Sequence, residues 1–256
     1  MTIQRQVITD NSALRSSYTT LKKDDVFIGR LRLARTEEHI LLDLVDRGII
    51  VFPSAKAQQA SRSKTFQTLL LSEYMLPHTR AVHDIHGLIN CMNHYCRENI
   101  GPVITKLDRT NAGTGILWWN SIEEVYSQAS LGVLPYPFVL QPFEPESSDI
   151  RVIVLADYIE AYSRKNPHNF RNNLHCGGSS LPCDLSDSQW DLCRLAMLKG
   201  KFPYAHIDLM VTKNGISYIA EINLRGGIRG ARINADEYRQ KIQKIHDLEA
   251  EKYLVG

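Results

Sequence analysis

The sequence predicts a mixed α+β fold, and three observations carry that prediction. The first half alternates short apolar runs with amphipathic helical stretches. The second half carries runs of period-two alternation, the mark of strands with one buried face. The segment YAHIDLMVTKNGISYIAEINLRGG (204–227) places Asn214-Gly215 between two such runs, the strongest short-range signal for a tight hairpin.

Taken in order, the first two dozen residues are polar and are expected to be partly disordered. DDVFIG (24–29) reads as a strand, TEEHILLDLVDRG (36–48) as a helix opened by Thr36 and closed by Gly48, and IIVFP (49–53) as a second strand, giving one β-α-β unit. SRSKTFQTLLLSEYMLP (61–77) reads as a helix capped at Ser61 or Ser63 and ended before Pro77. A further helix spans 84–99, and the apolar run PVITKL (102–107) is a buried strand followed by the loop DRTNAGTG. Strand ILWW (116–119), helix 121–129, strand PFVLQPF (137–143) and one long strand, DIRVIVLADYIEAYSR (149–164), come next. A polar stretch, KNPHNFRNNLHCGGSS, precedes a helix over 186–200 and then the hairpin. No internal repeat or low-complexity segment interrupts the pattern.

The 256 residues are 43% hydrophobic, enough for a proper core. A net charge of +2 with 23% charged residues makes no general case for nucleic acid or an anionic membrane as partner. No apolar stretch reaches the roughly 18 residues of a spanning helix and the N-terminus lacks a signal-type apolar region, so the expected location is cytoplasmic. Five cysteines without a C-x-x-C pair argue against a disulfide framework, and the spacing of His168, His175, Cys176 and Cys183 does not suit a structural zinc site.

With Asn214 and Gly215 as the loop, Lys213 faces Ile216, Val211 faces Tyr218, Leu209 faces Ala220 and Asp208 faces Glu221. One face, Ile207, Leu209, Val211, Tyr218, Ala220 and Ile222, is then core. The other carries Asp208, Glu221 and, two residues on, Asn223. Like charges opposite each other repel unless something positive lies between them, and three converging oxygen-bearing side chains suit a hard cation such as Mg²⁺. A solvated face with acids for solubility is the plainer reading. Upstream, Lys106 ends a strand and leads into Asn111-Ala112-Gly113-Thr114-Gly115, a composition that lets backbone N–H groups cradle phosphate; a strand end followed by a turn would look the same. NFRNNLHCGG adds Arg171, Asn172, Asn173 and His175, either a solvent loop or an oxyanion-binding one.

The order of these segments, lysine strand, glycine loop, LQPF, DIR, NFRNNLHCGG, HIDLM and AEINLRGG, resembles the ATP-grasp superfamily. The likeness is to its glutathione synthase and RimK-like carboxylate-amine ligase branch, and it covers about residues 50 to 235. The resemblance implies an ATP-grasp fold in which two α+β subdomains grip ATP. It suggests a reduced N-terminal region over 1–60, a small or lid subdomain over 61–138, and a C-terminal subdomain with the metal site over 139–256. It implies that Lys64 and Lys106 contact nucleotide phosphates under a loop of Gly113, Thr114 and Gly115. Gln141, Pro142 and Phe143 become the adenine hinge, with the Pro142 carbonyl accepting and the Phe143 N–H donating; Asp149 lies near the ribose. Arg171 and Asn173 reach the phosphates, and Asp208, Glu221 and Asn223 take the Mg²⁺ positions, with two ions and Mn²⁺ as an alternative metal.

The activity implied is ATP-dependent joining of a carboxylate to an amine through an acyl phosphate, releasing ADP, with Arg164, Arg171 and Arg229 steadying the transferred phosphoryl group. A catalytically reduced ATP-binding module and a phosphotransferase using the same site are the competing readings. Two departures from the family stand out: the N-terminal region is cut to about one β-α-β unit, and LRGGIRGAR brings Arg225, Arg229 and Arg232 together after the metal residues. The arginines point to a small-molecule or peptide substrate with an anionic group besides its reacting carboxylate. A homo-oligomer stays open.

Overall fold

The computed structural model describes residues 5–110, 113–172 and 174–254. Asn111, Ala112 and the expected phosphate ligand Asn173 lie outside the described residues.

The chain opens with β1 (Val7–Ile8), α1 (Asn11–Ser17), β2 (Val26–Ile28), α2 (His39–Asp46) and β3 (Ile50–Phe52), whose strands form a parallel sheet in the order β1-β2-β3. The β-α-β unit is present as expected, and the described residues before it, 5–23, include a strand and a helix where partial disorder is expected. Asp10 caps α1 by accepting from the N–H groups of Ser12 and Ala13, and Ile8 and Leu14 bury against Phe27 and Leu44. A polar composition hid a two-residue strand of which only Ile8 is buried.

Next come α3 (Ala55–Ala60), α4 (Lys64–Leu70), β4 (Arg80–Val82), α5 (Ile85–Arg97), β5 (Val103–Leu107), β6 (Ile116–Trp119), α6 (Ile122–Ser130) and β7 (Phe138–Pro142). The helix expected over 61–77 is shorter: the Ser63 hydroxyl accepts from the Phe66 N–H and starts α4, which ends at Leu70 before a 3-10 turn over Ser72–Tyr74. Strands β4-β7-β5-β6 make an antiparallel sheet, and α5 and α6 pack on it around Leu88, Tyr95, Val125 and Phe138.

The remainder is β8 (Ser148–Leu155), β9 (Tyr158–Lys165), β10 (Ser179–Pro182), α7 (Asp187–Gly200), β11 (Tyr204–Val211), β12 (Ser217–Asn223) and α8 (Ala235–Leu254), with an antiparallel sheet in the order β10-β9-β8-β11-β12. The single strand expected over 149–164 is a hairpin: Ala156, at φ 55°, and Asp157 turn the chain so that Leu155 faces Tyr158. No glycine, proline or asparagine marks that turn. The core of this sheet also takes in Ala57, Ala60, Leu71 and Met75 from the α3–α4 region, and β7 pairs wholly within the four-stranded sheet. The boundaries drawn at 60/61 and 138/139 therefore separate α3 and α4 and cut through β7.

The β11–β12 hairpin pairs Asp208 with Glu221, as the register argument expects. Nearer the turn the pairing differs: Val211 faces Ser217, Met210 faces Tyr218 and Leu209 faces Ile219. The loop has three residues, with Gly215 at φ 80° and the Thr212 N–H donating to the Ile216 carbonyl at 2.9 Å. A β-bulge between the Asp208 and Leu209 pairs leaves Ala220 as the extra residue and restores the outer register. Ile219, not Ala220, consequently joins the core.

Candidate active site

One face of the five-stranded sheet is core, from Val152, Ala161, Ile207, Leu209 and Ile222. The opposite face is charged, because alternation sends every second residue the other way. Across it runs a row of cross-strand partners, Tyr162, Arg151, Asp208 and Glu221, and beside it a second row, Arg164, Asp149 and Met210. This face, the four-stranded sheet and the segment after β2 enclose a cavity of about 1770 Å³.

Most residues expected at a site line this cavity: Lys64, Lys106, Gly113, Gln141, Pro142, Phe143, Asp149, Arg164, Arg171, Asp208, Glu221, Asn223 and Arg229. Thr114 and Gly115 are not on its wall. Gly115 returns the loop to the sheet, its carbonyl accepting from the Leu107 N–H at 2.8 Å; a Cβ there would lie 2.1 Å from the Thr110 hydroxyl, so this position requires glycine.

Lys106 projects from β5 into the cavity and makes no hydrogen bond or ion pair among the described residues. Burial lowers its pKa, with the charge of Glu221 acting in the opposite direction. Lys64 lies between the two halves of the site, 3.7 Å from Glu221 and donating to the Thr110 carbonyl.

Three groups expected to meet ligands already have protein partners. Asp208 is not an open carboxylate: Arg151 binds it with two nitrogens, Nη2 at 3.0 Å, and Arg164 approaches at 3.1 Å. Burial alone would push Asp208 up, but these guanidinium groups hold it well below the usual carboxylate range. With three of about four lone-pair positions taken, its present role is to hold arginines. Asp149 likewise is not free for a ribose. Arg164 grips both its oxygens, with Nη2 at 2.9 Å, which also leaves Arg164 less of its fork for a phosphoryl group. The Phe143 N–H, expected to donate to adenine, already donates to the Pro102 carbonyl at 3.0 Å because the β5–β7 ladder continues to that residue. The Phe143 ring instead stands edge-on to Trp118 and Phe170, at 6.2 and 6.1 Å between centroids, as an apolar wall. Gln141, buried behind it, donates to the Met210 sulfur at 3.9 Å.

Arg171 lies 4.2 Å over the Phe170 ring and donates to the Ile116 carbonyl. The three-arginine cluster is also revised. Arg225 and Arg229 line the cavity, Arg229 donating to the Leu174 carbonyl at 3.3 Å, whereas Arg232 turns to the buried Glu160 at 3.5 Å. Sequence reasoning missed Arg30, Arg32 and Arg62, which line the same end. It also missed Arg151, although its i, i+2 spacing from Asp149 on a strand was a usable signal.

Among the described residues no three His, Cys, Asp or Glu side chains gather in a metal-binding group. The side chains left open to a hard cation are the Glu221 carboxylate, whose only ion-pair partner among the described residues is Lys64 at 3.7 Å, and the Asn223 amide, which makes no side-chain hydrogen bond among the described residues.

Two layered α+β units closing on a polar cleft define the ATP-grasp class. Residues 59–244 match the RimK-like ATP-grasp domain, and the chain belongs to that family. A probable alpha-L-glutamate ligase of Xanthomonas oryzae pv. oryzae (strain MAFF 311018) is 27% identical over 134 residues, 50% of this chain and 45% of that protein. One of Haemophilus ducreyi (strain 35000HP / ATCC 700724) is 25% identical over 189 residues, 71% of this chain and 60% of that protein. The chain thus spans about half the length of the curated relatives it matches. Among solved structures, a RiPP-associated ATP-grasp ligase of Chryseobacterium gregarium, in complex with ADP and a leader and core peptide, aligns with a TM-score of 0.59 at 14% identity, over 90% of this chain and 77% of that one. The ADP complex of N5-carboxyaminoimidazole ribonucleotide synthetase aligns with a TM-score of 0.61 at 13% identity, over 87% of this chain and 58% of that one. At these identities the structures bear on the fold alone. Among the described residues no helix is long and apolar enough to cross a membrane.

Proposed function

We propose that the chain is an ATP- and Mg²⁺-dependent ligase that joins a carboxylate to an amine and releases ADP. The observation that carries this reading is one cavity lined by Glu221, Asn223 and Lys106, whose ammonium has no hydrogen-bond or ion-pair partner among the described residues, in a chain of this family. Lys106 and Lys64 bind the phosphates, with Gly113 of the β5–β6 loop beside them. Pro142 and the Phe143 and Phe170 rings enclose the base, with Trp118 standing against Phe143. Glu221 and Asn223 would hold the cation, which when bound neutralises phosphate charge.

A carboxylate oxygen of the substrate attacks the γ-phosphorus in line, and the bond to the β-phosphate oxygen breaks, giving an acyl phosphate and ADP. The amine then attacks the acyl carbon, the carbon–oxygen bond to phosphate breaks, and the amine loses a proton to leave an amide. Arg164 and Arg151 are held in fixed orientations by Asp149 and Asp208, so the guanidinium N–H groups facing the cavity need little reorganisation as charge moves.

Arg30, Arg32, Arg62, Arg225 and Arg229 make the far end of the cavity strongly basic. That favours a substrate with an anionic group besides the reacting carboxylate, such as an acidic amino acid, an acidic peptide or a phosphorylated small molecule. The probable alpha-L-glutamate ligases among the relatives support an acidic substrate. Measuring ADP release against a panel of amino acids and short peptides, with and without an added amine, tests the proposal. Release that needs both partners is expected, and release indifferent to every carboxylate would refute it.

A further inference from the structure

The loop joining β5 to β6 is anchored by residues at the edge of the same cavity, Arg35, Glu38, Arg109 and Thr110, to which the reading above gives no role in catalysis. Its root is Asp108, Arg109 and Thr110. Asp108 is buried and accepts from the Ser63 hydroxyl and the Thr65 N–H, both at 3.1 Å. Arg109 sits at φ 56°, a left-handed backbone that a residue with a Cβ keeps only where its surroundings over-determine it. Those surroundings come from the N-terminal unit. Glu38, at the start of α2, takes Arg109 in a two-pronged grip, Nε at 2.9 Å and Nη2 on the other oxygen. Arg35 donates to the Arg109 carbonyl at 3.2 Å, and Gln59 donates to Glu38 at 2.9 Å. Both side chains of the grip are mostly buried, 15% and 24% exposed, so the pair is shielded from the screening that weakens surface bridges.

We propose that Glu38 is a positioning residue which, from the N-terminal unit, holds Arg109 and so sets the root of the β5–β6 loop for nucleotide binding. This rests on the reading that the loop and Lys106 bind nucleotide phosphates. Glu38 touches no phosphate itself. It acts through Arg109, and the next residue, Thr110, carries the carbonyl that Lys64 engages, so a shift of the root also moves a phosphate-binding lysine.

The test is a double-mutant cycle on Mg²⁺·AMP-PNP affinity, measured calorimetrically on the full chain with E38Q, R109Q and the pair, alongside melting temperature. Each single change is expected to weaken nucleotide binding about tenfold, and the pair no more than R109Q alone, because both break the Glu38–Arg109 grip while R109Q also loses the Arg109–Asp108 pair. R15A, which breaks the neighbouring Arg15–Glu37 bridge at 2.9 Å without reaching the loop, should bind as wild type does. If E38Q fails to fold, R109K, which keeps the charge and loses the fork, should weaken binding severalfold at unchanged melting temperature. Wild-type affinity in a folded E38Q or R109K, or single effects that multiply in the pair, would overturn the proposal. Wild-type protein that binds no nucleotide would overturn the phosphate-site reading and this inference with it.

Discussion

Replacing Lys106 with methionine separates a binding group from a strand end. The ammonium has no protein partner among the described residues, so the change breaks no hydrogen bond and leaves no acceptor orphaned. Burial lowers the pKa of Lys106 and Glu221 only partly offsets it, so the charged form is less favourable in the fold than in the unfolded chain. A neutral side chain of similar length removes that cost, and the melting temperature should hold or rise. Nucleotide binding should move the opposite way. A charge-assisted hydrogen bond to phosphate is worth about 1.5–3 kcal/mol, or roughly 10- to 150-fold in Kd. Calorimetric titration with Mg²⁺·AMP-PNP and a thermal melt of the same samples read both quantities. Affinity within about twofold of wild type would show that Lys106 binds no phosphate, and a fall in melting temperature at unchanged affinity would make it structural.

Glu221→Gln should abolish ADP release while the far-ultraviolet spectrum and melting temperature stay close to wild type, because the side chain faces the cavity; near-normal turnover would remove Glu221 from the site. Arg229→Ala should raise KM for the carboxylate substrate more than for ATP, with Arg229→Lys restoring it only in part. Arg232→Ala should leave both KM values unchanged, since Arg232 turns away to Glu160. Glu160→Gln should cost about 2 kcal/mol near neutral pH, because the carboxylate accepts from Tyr158 and from the N–H groups of Arg232 and Ile233. Burial raises the pKa of Glu160, but those bonds outweigh it and the net shift is downward, so the contribution is present above the unfolded value of 4.5 and fades as pH falls below it. Urea unfolding of the pair at several pH values should show the gap closing under acid, and a gap constant with pH would contradict that linkage.

The hairpin shows what the sequence could and could not convey. Asn-Gly and the alternation located it and paired Asp208 with Glu221, yet through two offsetting features, a three-residue loop and a bulge at Ala220. The partners of Asp208 were not legible, because Arg151, 57 residues away in sequence, meets it only through the pairing of β11 with β8. The same holds for the grip of Glu38 on Arg109, across 71 residues. By contrast α8 was readable but missed: Asn234 accepts from the N–H groups of Asp236 and Glu237, an N-terminal cap visible as Asn-x-x-Glu before Tyr238, Ile242 and Ile245 at helical spacing. Residue types reported the chemistry of the cavity well, and tertiary strand order decided which charges remain free.

In the proposed mechanism a substrate carboxylate is activated by direct attack on the γ-phosphate. Turnover with a substrate labelled with ¹⁸O in its reacting carboxylate, read by mass spectrometry of the released phosphate and the amide, tests it most directly. One labelled oxygen passing into phosphate, with ADP and amide formed in equal amounts, is the predicted result. Unlabelled phosphate, or a phosphorylated product that persists without consuming the amine, would contradict it.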